Sequence, residues 1–207
     1  MAKQSSVRDR WKRHERNVAQ FFNTSRNVHG RGPAGETGTD VVADLPGWLD
    51  EPPGLFSQYR YMFVECKYSH GTDGVTFKHF REMREASSMT KKQNSTKIYV
   101  CNYGDYLITS LDSVPFVMGD FILPKLGIDG LQFHKDHLSL ASQYGIVHST
   151  KKAPGYLDKY WEQCVSDVST FNEGRKYELA IPMVCMGSSF KEKLAIFSRS
   201  WYENPPS

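Results

Sequence analysis

The feature that most constrains the fold is an apolar stretch, YMFVECKYS, at residues 61–69. Its aromatic and β-branched residues are typical of a buried β-strand. Successive side chains on a strand point to opposite faces, so Glu65 and Lys67 share one face. The other face carries Met62, Val64, Cys66 and Tyr68. A carboxylate and an ammonium side by side in so apolar a strand require an explanation.

A second strand is predicted over TDVVADL, residues 39–45, and the turn-rich segment PGWLDEPPGLFSQ joins it to the first. Two strands joined by a local connection are most simply antiparallel neighbours. If the pairing runs evenly from the connection, Leu45 lies opposite Arg60 and Asp40 lies opposite Glu65. This register places Asp40 beside both charges of the apolar strand.

A helix is predicted over residues 6–24, because Val7, Trp11, Val18 and Phe22 are spaced by four, seven and four residues. Glu15 occupies the gap in this apolar face, where a carboxylate costs free energy unless a cation meets it. The alternative is that His14 takes the inward position and Glu15 stays at the edge in water.

The remaining pattern predicts an α/β or α+β fold with a central mixed sheet flanked by helices. Residues 27–40, NVHGRGPAGETGTD, contain four glycines and a proline and are predicted to form a loop. A helix is expected over 74–89, with an apolar line formed by Phe77, Phe80, Met83 and Ala86. Strands are expected over 96–102 and 105–111, and again in KYELAIPMVCM and EKLAIFS, with a helix over 156–168.

Length and composition indicate one folded domain, or one domain with a substantial extension. The chain has 207 residues, of which 39% are hydrophobic and 13% aromatic, enough for a real core. No apolar run approaches the roughly 18 residues that cross a bilayer, and the charged N-terminus lacks a signal-peptide core. The four cysteines show no metal-binding spacing and are expected to be buried, reduced thiols. We therefore expect a soluble, cytoplasmic protein.

Basic residues cluster although the formal net charge is only +3. The first predicted helix and the loop after it hold the candidates for DNA contact: Arg10, Lys12, Arg13, Arg16, His29 and Arg31. Such clustering suits a polyanion, of which nucleic acid is the commonest. The alternative is a solvated helix face whose charges serve solubility.

The charged residues gathered by these predictions suit a hard divalent cation. Mg²⁺ and Mn²⁺ prefer oxygen ligands, which Asp40, Glu65 and the main-chain carbonyl of Cys66 would offer. Lys67 would orient or deprotonate an attacking water, or stabilise charge on a phosphate. Together these groups predict phosphodiester hydrolysis. The alternative for Glu65 and Lys67 is an ion pair on an exposed strand face.

The segments GTDVVAD and FVECK resemble the split active-site motif of the PD-(D/E)XK nuclease superfamily. Within it the chain looks most like archaeal-type and phage Holliday junction resolvases, which begin with a basic helix carrying a glutamate and a glycine-rich basic loop. The resemblance covers residues 6–110 and implies a restriction-endonuclease-like core. It implies that Glu15, Asp40, Glu65 and Lys67 are catalytic, with Glu15 also at the metal site. A homodimer is implied as well.

Two departures from the superfamily pattern stand out. Thr39 replaces the proline in the motif's name, and no clear glutamine follows in the helix after Lys67, which disfavours the exonuclease branches. We expect a nuclease core over 1–125 and a C-terminal extension over 126–207, packed on the same domain.

The resulting prediction is a Mg²⁺- or Mn²⁺-dependent DNA endonuclease that resolves Holliday junctions or other branched DNA, in a bacterial, archaeal or phage-infected cell. A restriction-type or general DNA-processing nuclease is the first alternative. The second is a non-catalytic DNA-binding protein on a nuclease scaffold.

Overall fold

In a computed structural model, the strands form one mixed β-sheet. The structure describes residues 7–27, 38–45, 58–68, 74–86, 98–127, 144–188 and 192–205. The strands are β1 (Val41–Asp44), β2 (Tyr59–Tyr68), β3 (Ile98–Tyr103), β4 (Tyr106–Ser110), β5 (Tyr144–His148), β6 (Leu179–Gly187) and β7 (Lys193–Ser198). Their order across the sheet is β1-β2-β6-β7-β4-β3-β5. The flanking helices are α1 (Val7–Phe21), α2 (Gly74–Ala86), α3 (Gly155–Asn172) and α4 (Arg199–Glu203), and irregular helical turns span 111–126. The predicted class, a central mixed sheet flanked by helices, is confirmed.

The first hairpin has the predicted register. β1 and β2 are antiparallel neighbours, with Val41 opposite Val64 and Ala43 opposite Met62. Asp40 immediately precedes β1, so the same register continued by one residue places it opposite Glu65. The sequence prediction that brought these two carboxylates together is therefore confirmed.

The C-terminal strands lie in the middle of the sheet. β6 pairs in parallel with β2 and antiparallel with β7, and β7 pairs with β4. β6 is buried along nearly its whole length, which explains its almost unbroken apolar sequence. Strands from both sides of residue 125 thus share one sheet, and the C-terminal half completes its centre.

Helices α1 and α3 cover opposite faces of β2. Phe171 of α3 packs its ring against Tyr61 and Phe63, whose side chains lie on the same face as Glu65. On the other face, the ring of Tyr68 meets that of His14 from α1. The charged end of β2 therefore emerges between two helices.

The predicted apolar face of α1 is only partly buried. Val18 and Phe22 are 0% and 4% exposed, but Trp11 is 41% exposed, so its expected place in the core was wrong. Along the apolar line of α2, Phe77 and Phe80 are buried and Met83 is half-buried against the core, while Ala86 is exposed. The second half of α1 and the first half of α2 pack against the core, and the rest of each helix is more exposed.

The prediction for the cysteines agrees with the fold. All four cysteines are free and buried, as predicted. The turn between β3 and β4 depends on Gly104, whose φ of +62° is a conformation that favours glycine. Among the helices of the described ranges, none combines the length and apolarity needed to cross a membrane.

Candidate active site

Asp40 is fixed beside the end of β2 by a main-chain hydrogen bond. Its Oδ2 accepts a hydrogen bond of 2.8 Å from the N–H of Cys66. The Asp40 carbonyl also accepts a bond of 2.9 Å from the N–H of Asn27. Because the N–H and C=O of one strand residue point to the same side, the Cys66 carbonyl faces the edge where Asp40 lies. Two of the predicted oxygen ligands therefore share this edge.

Glu65 and Lys67 form a largely buried ion pair rather than an exposed one. Lys67 Nζ donates to Glu65 Oε1 at 2.5 Å, and the side chains are 13% and 3% exposed, respectively. The other Glu65 oxygen, Oε2, is buried without a hydrogen-bond partner. An orphaned carboxylate oxygen is rare in a folded interior and calls for an explanation, of which a bound ion is one.

A glutamine from a distant helix contacts Lys67. Lys67 Nζ donates to Gln163 Oε1 at 2.9 Å, across 96 residues of chain. Gln163 belongs to α3, which covers β2, whereas the helix that follows β2 in sequence is α2. Helix α2 contains no glutamine, as expected from the sequence, so the departure that disfavours the exonuclease branches stands.

Burial, aided by neighbouring carboxylates, raises the pKa of two acidic groups at this site. Burial raises the pKa of Asp40 to about 7, and the negative charge of Glu65 adds to the effect, while the Cys66 N–H opposes it. Burial also raises the pKa of Glu65, against the opposing influence of Lys67. A bound cation would favour the ionised form of both groups.

Glu15 lies in the buried part of α1, and a cation meets it. Its Oε2 forms an ion pair with Arg26. Both Glu15 and His14 are buried, so His14 takes an inward position as the alternative expected, but its placement of Glu15 at the edge in water was wrong. Burial lowers the pKa of His14 to about 4, so the neutral ring donates from Nε2 to the Cys185 carbonyl at 3.1 Å. The metal-ligand role of Glu15 stays a prediction.

Helix α3 also holds the segment that leads into Asp40. Asp167 accepts hydrogen bonds from the Gly38 N–H at 3.3 Å and from the Thr39 hydroxyl at 3.2 Å. Gln163 and Asp167 are four residues apart on α3 and therefore share one face. The threonine in place of the motif's proline has a structural reason, since its hydroxyl makes one of these bonds.

The predicted DNA-contacting residues are only partly described. Arg13 and Arg16 are exposed on α1, and Arg10 and Lys12 are half-buried. The remaining two, His29 and Arg31, lie outside the described residues. The basic face of α1 thus remains a candidate for phosphate contact.

The predicted metal ligands form an incomplete side-chain set. In the described part of the chain, no three His, Cys, Asp or Glu side chains are arranged to hold a metal ion. Asp40, Glu65 and the Cys66 carbonyl nevertheless fit a hard cation, because Glu65 Oε2 is orphaned and both carboxyl pKa values are raised. Mg²⁺ commonly takes one or two carboxylates and fills its other positions with water and substrate.

Comparison with family models, with curated proteins and with solved structures found no match to this chain. The nuclease resemblance therefore stays a prediction that rests on the split motif.

Three residues of the site were not predicted from the sequence: Arg26, Gln163 and Asp167. The spacing of Gln163 and Asp167 on a predicted helix was a usable signal, because it places two polar groups on one face. Nothing in the sequence indicates which strand that face covers. Arg26 was visible only as one basic residue among many.

Proposed function

We propose that this chain is a metal-dependent DNA endonuclease that hydrolyses phosphodiester bonds. The observation that supports this function best is the convergence of Asp40, Glu65 and Lys67 at one end of β2. Asp40 is oriented by the Cys66 N–H, and the Glu65–Lys67 pair is buried with one carboxylate oxygen unpaired. A purely structural ion pair would not require a second carboxyl group with a pKa near 7 beside it.

Each residue would have a distinct role in hydrolysis. Asp40, Glu65 and the Cys66 carbonyl would hold Mg²⁺ or Mn²⁺, which, when bound, lowers the pKa of water and stabilises charge on phosphate oxygens. Lys67, anchored by Glu65 and Gln163, would direct its remaining N–H donor at the attacking water or the phosphate. Its two anchors would keep the ammonium from swinging away from the scissile bond.

Branched DNA is the substrate that we propose within this function, on the strength of the basic α1, its buried glutamate and the glycine-rich segment after it. Homodimerisation would follow, because a junction is resolved by two cuts. A restriction-type or general DNA-processing nuclease shares the same chemistry. A catalytically inert DNA-binding scaffold is the outcome if no phosphodiester product forms.

The test is incubation of the purified chain with labelled four-way junction, flap, linear duplex and closed circular DNA, each with Mg²⁺ and with EDTA. We expect products only with Mg²⁺, and junction cleavage at least tenfold faster than linear cleavage, which corresponds to ~1.4 kcal/mol. Nicking of the circle identifies an endonuclease, since that substrate has no ends. No product on any DNA with Mg²⁺ or Mn²⁺ would refute the nuclease. Products from linear ends alone would refute the endonuclease.

A further inference from the structure

We propose that Trp11 and Tyr160 form a binding site for an unpaired DNA base beside Lys67. We call these two residues the aromatic pair. The inference rests on the proposed function for its substrate, and it adds the structural class of that substrate. DNA with an unpaired nucleotide at the scissile phosphate would engage the site more tightly than a continuous duplex.

The exposure of Trp11 is the first observation. Val18 of α1 and Phe22 directly after it are 0% and 4% exposed, whereas Trp11, which the apolar pattern assigns to the same face, is 41% exposed. Tryptophan is highly buried on average, so leaving much of one in water forgoes stabilisation. Places where a strong local pattern fails in this way are often functional sites.

The position of the aromatic pair is the second observation. The ammonium of Lys67 lies 6.0 Å from the centroid of the Trp11 ring and 5.2 Å from that of Tyr160. Trp11 belongs to α1 and Tyr160 to α3, which cover opposite faces of β2. Two rings from opposite sides of the sheet therefore flank the group that would meet the phosphate.

The chemistry of the surroundings selects a nucleobase as the occupant. Aromatic side chains stack on bases that are unpaired, and such stacking tolerates any base sequence. Half-buried Arg10 and Lys12 are the neighbours of Trp11 on α1 and offer charge to the adjacent phosphates. In a nucleotide the base is one sugar away from its phosphate. A phosphate at Lys67 would thus bring its own base, if unpaired, within reach of the aromatic pair.

A purely supporting role is the competing explanation. Rings near an ammonium also stabilise it by cation–π attraction. In that case the aromatic pair would hold Lys67 in place but would not distinguish unpaired from paired DNA. The two explanations therefore differ in a binding measurement that involves no cleavage.

The experiment measures binding of a fluorescent single-stranded oligonucleotide and of a blunt duplex of equal length, in EDTA. We expect Trp11→Ala to weaken single-strand binding at least tenfold and duplex binding less than twofold. Trp11→Phe keeps an aromatic ring and should stay within about threefold of wild type. Tyr177→Ala is the matched control, because Tyr177 is 70% exposed and should leave both affinities unchanged. Binding of the single strand should quench tryptophan fluorescence in the wild type. The quenching should be smaller in Trp11→Phe, because the tryptophan that stacks on the base is gone.

Two results would overturn the aromatic pair: unchanged single-strand binding in Trp11→Ala, or an equal loss for single strand and duplex. Trp11→Ala should fold, because the side chain is partly in water, and Trp11→Phe retains an interpretable signal if it does not. Selective loss of single-strand binding in a chain that cuts no DNA would refute only the proposed function. If the wild type cuts DNA but Trp11→Ala binds the single strand as tightly as the wild type does, only the aromatic pair is refuted.

Discussion

At the scale of single residues, the site is costly to the fold that carries it. Asp40 is a carboxyl group whose pKa is raised to about 7, chiefly by burial and then by the charge of Glu65. A group with such a raised pKa holds a proton in the folded chain that the unfolded chain has already released. Sites that arrange charge for chemistry often show this conflict between stability and function.

We predict that Asp40→Asn stabilises the metal-free chain at pH 8 but not at pH 4. Between these values the folded wild type binds more protons than the unfolded chain, so its free energy of unfolding falls as pH rises. Asparagine carries no charge, and its amide oxygen can still accept the Cys66 N–H. The expected gain at pH 8 is about 1–3 kcal/mol, measured by urea unfolding in EDTA at both pH values.

Asp44→Asn is the control for that experiment. Asp44 lies at the other end of β1, its side chain is 48% exposed, and it should alter stability little at either pH. A destabilised Asp40→Asn at pH 8, or a gain of equal size at pH 4, would show that the Asp40 carboxyl is not strained by its surroundings.

At the scale of elements, helix α1 is positioned by a close approach to the end of β6. A Cβ added to Gly187 would lie 2.4 Å from Nδ1 of the His14 ring. That ring is buried and hydrogen-bonded to the Cys185 carbonyl, so it has little freedom to move. The glycine therefore lets α1, which carries Glu15 and Trp11, pack onto the sheet.

We predict that Gly187→Ala destabilises the chain by about 1–3 kcal/mol, because the new methyl group displaces the His14 ring. For a chain of this size the melting temperature should fall by about 2–12 °C, which a thermal melt followed by circular dichroism would measure. Gly155→Ala is the matched control, since nothing lies within 4 Å of its added Cβ and it begins α3. Equal melting temperatures for the two variants would contradict this packing.

At the scale of elements, the sequence predicts contacts that are local along the chain and misses those between distant segments. The β1–β2 hairpin was predictable to the residue, because its register follows from a local connection and alternating side chains. The depth of Glu15 and the need for a partner cation were predictable from helical spacing. Gln163 and Asp167 were not, because their contacts span 96 and 128 residues. Local periodicity predicts helix α3 but carries no information about the strand that it covers.

At the scale of the whole molecule, the active-site hairpin and the C-terminal half complete one sheet. β6 and β7 join β2 to β4, although β4 ends more than sixty residues before β6 begins. The sequence indicated these strands but not their central place, since parallel pairing of β2 with β6 leaves no local signature. Residues 126–207 therefore supply both the support of the site, through α3, and the centre of the sheet.

The most direct test of the central claim compares DNA cleavage by wild type, Asp40→Asn and Asp44→Asn with Mg²⁺. Asp40 immediately precedes β1 and Asp44 ends it, but only Asp40 contacts the Cys66 main chain beside Glu65 and Lys67. We predict that Asp40→Asn lowers the cleavage rate at least a hundredfold while DNA affinity in EDTA stays within about threefold, and that Asp44→Asn cuts at the wild-type rate. Equal cleavage by Asp40→Asn and Asp44→Asn would contradict the account.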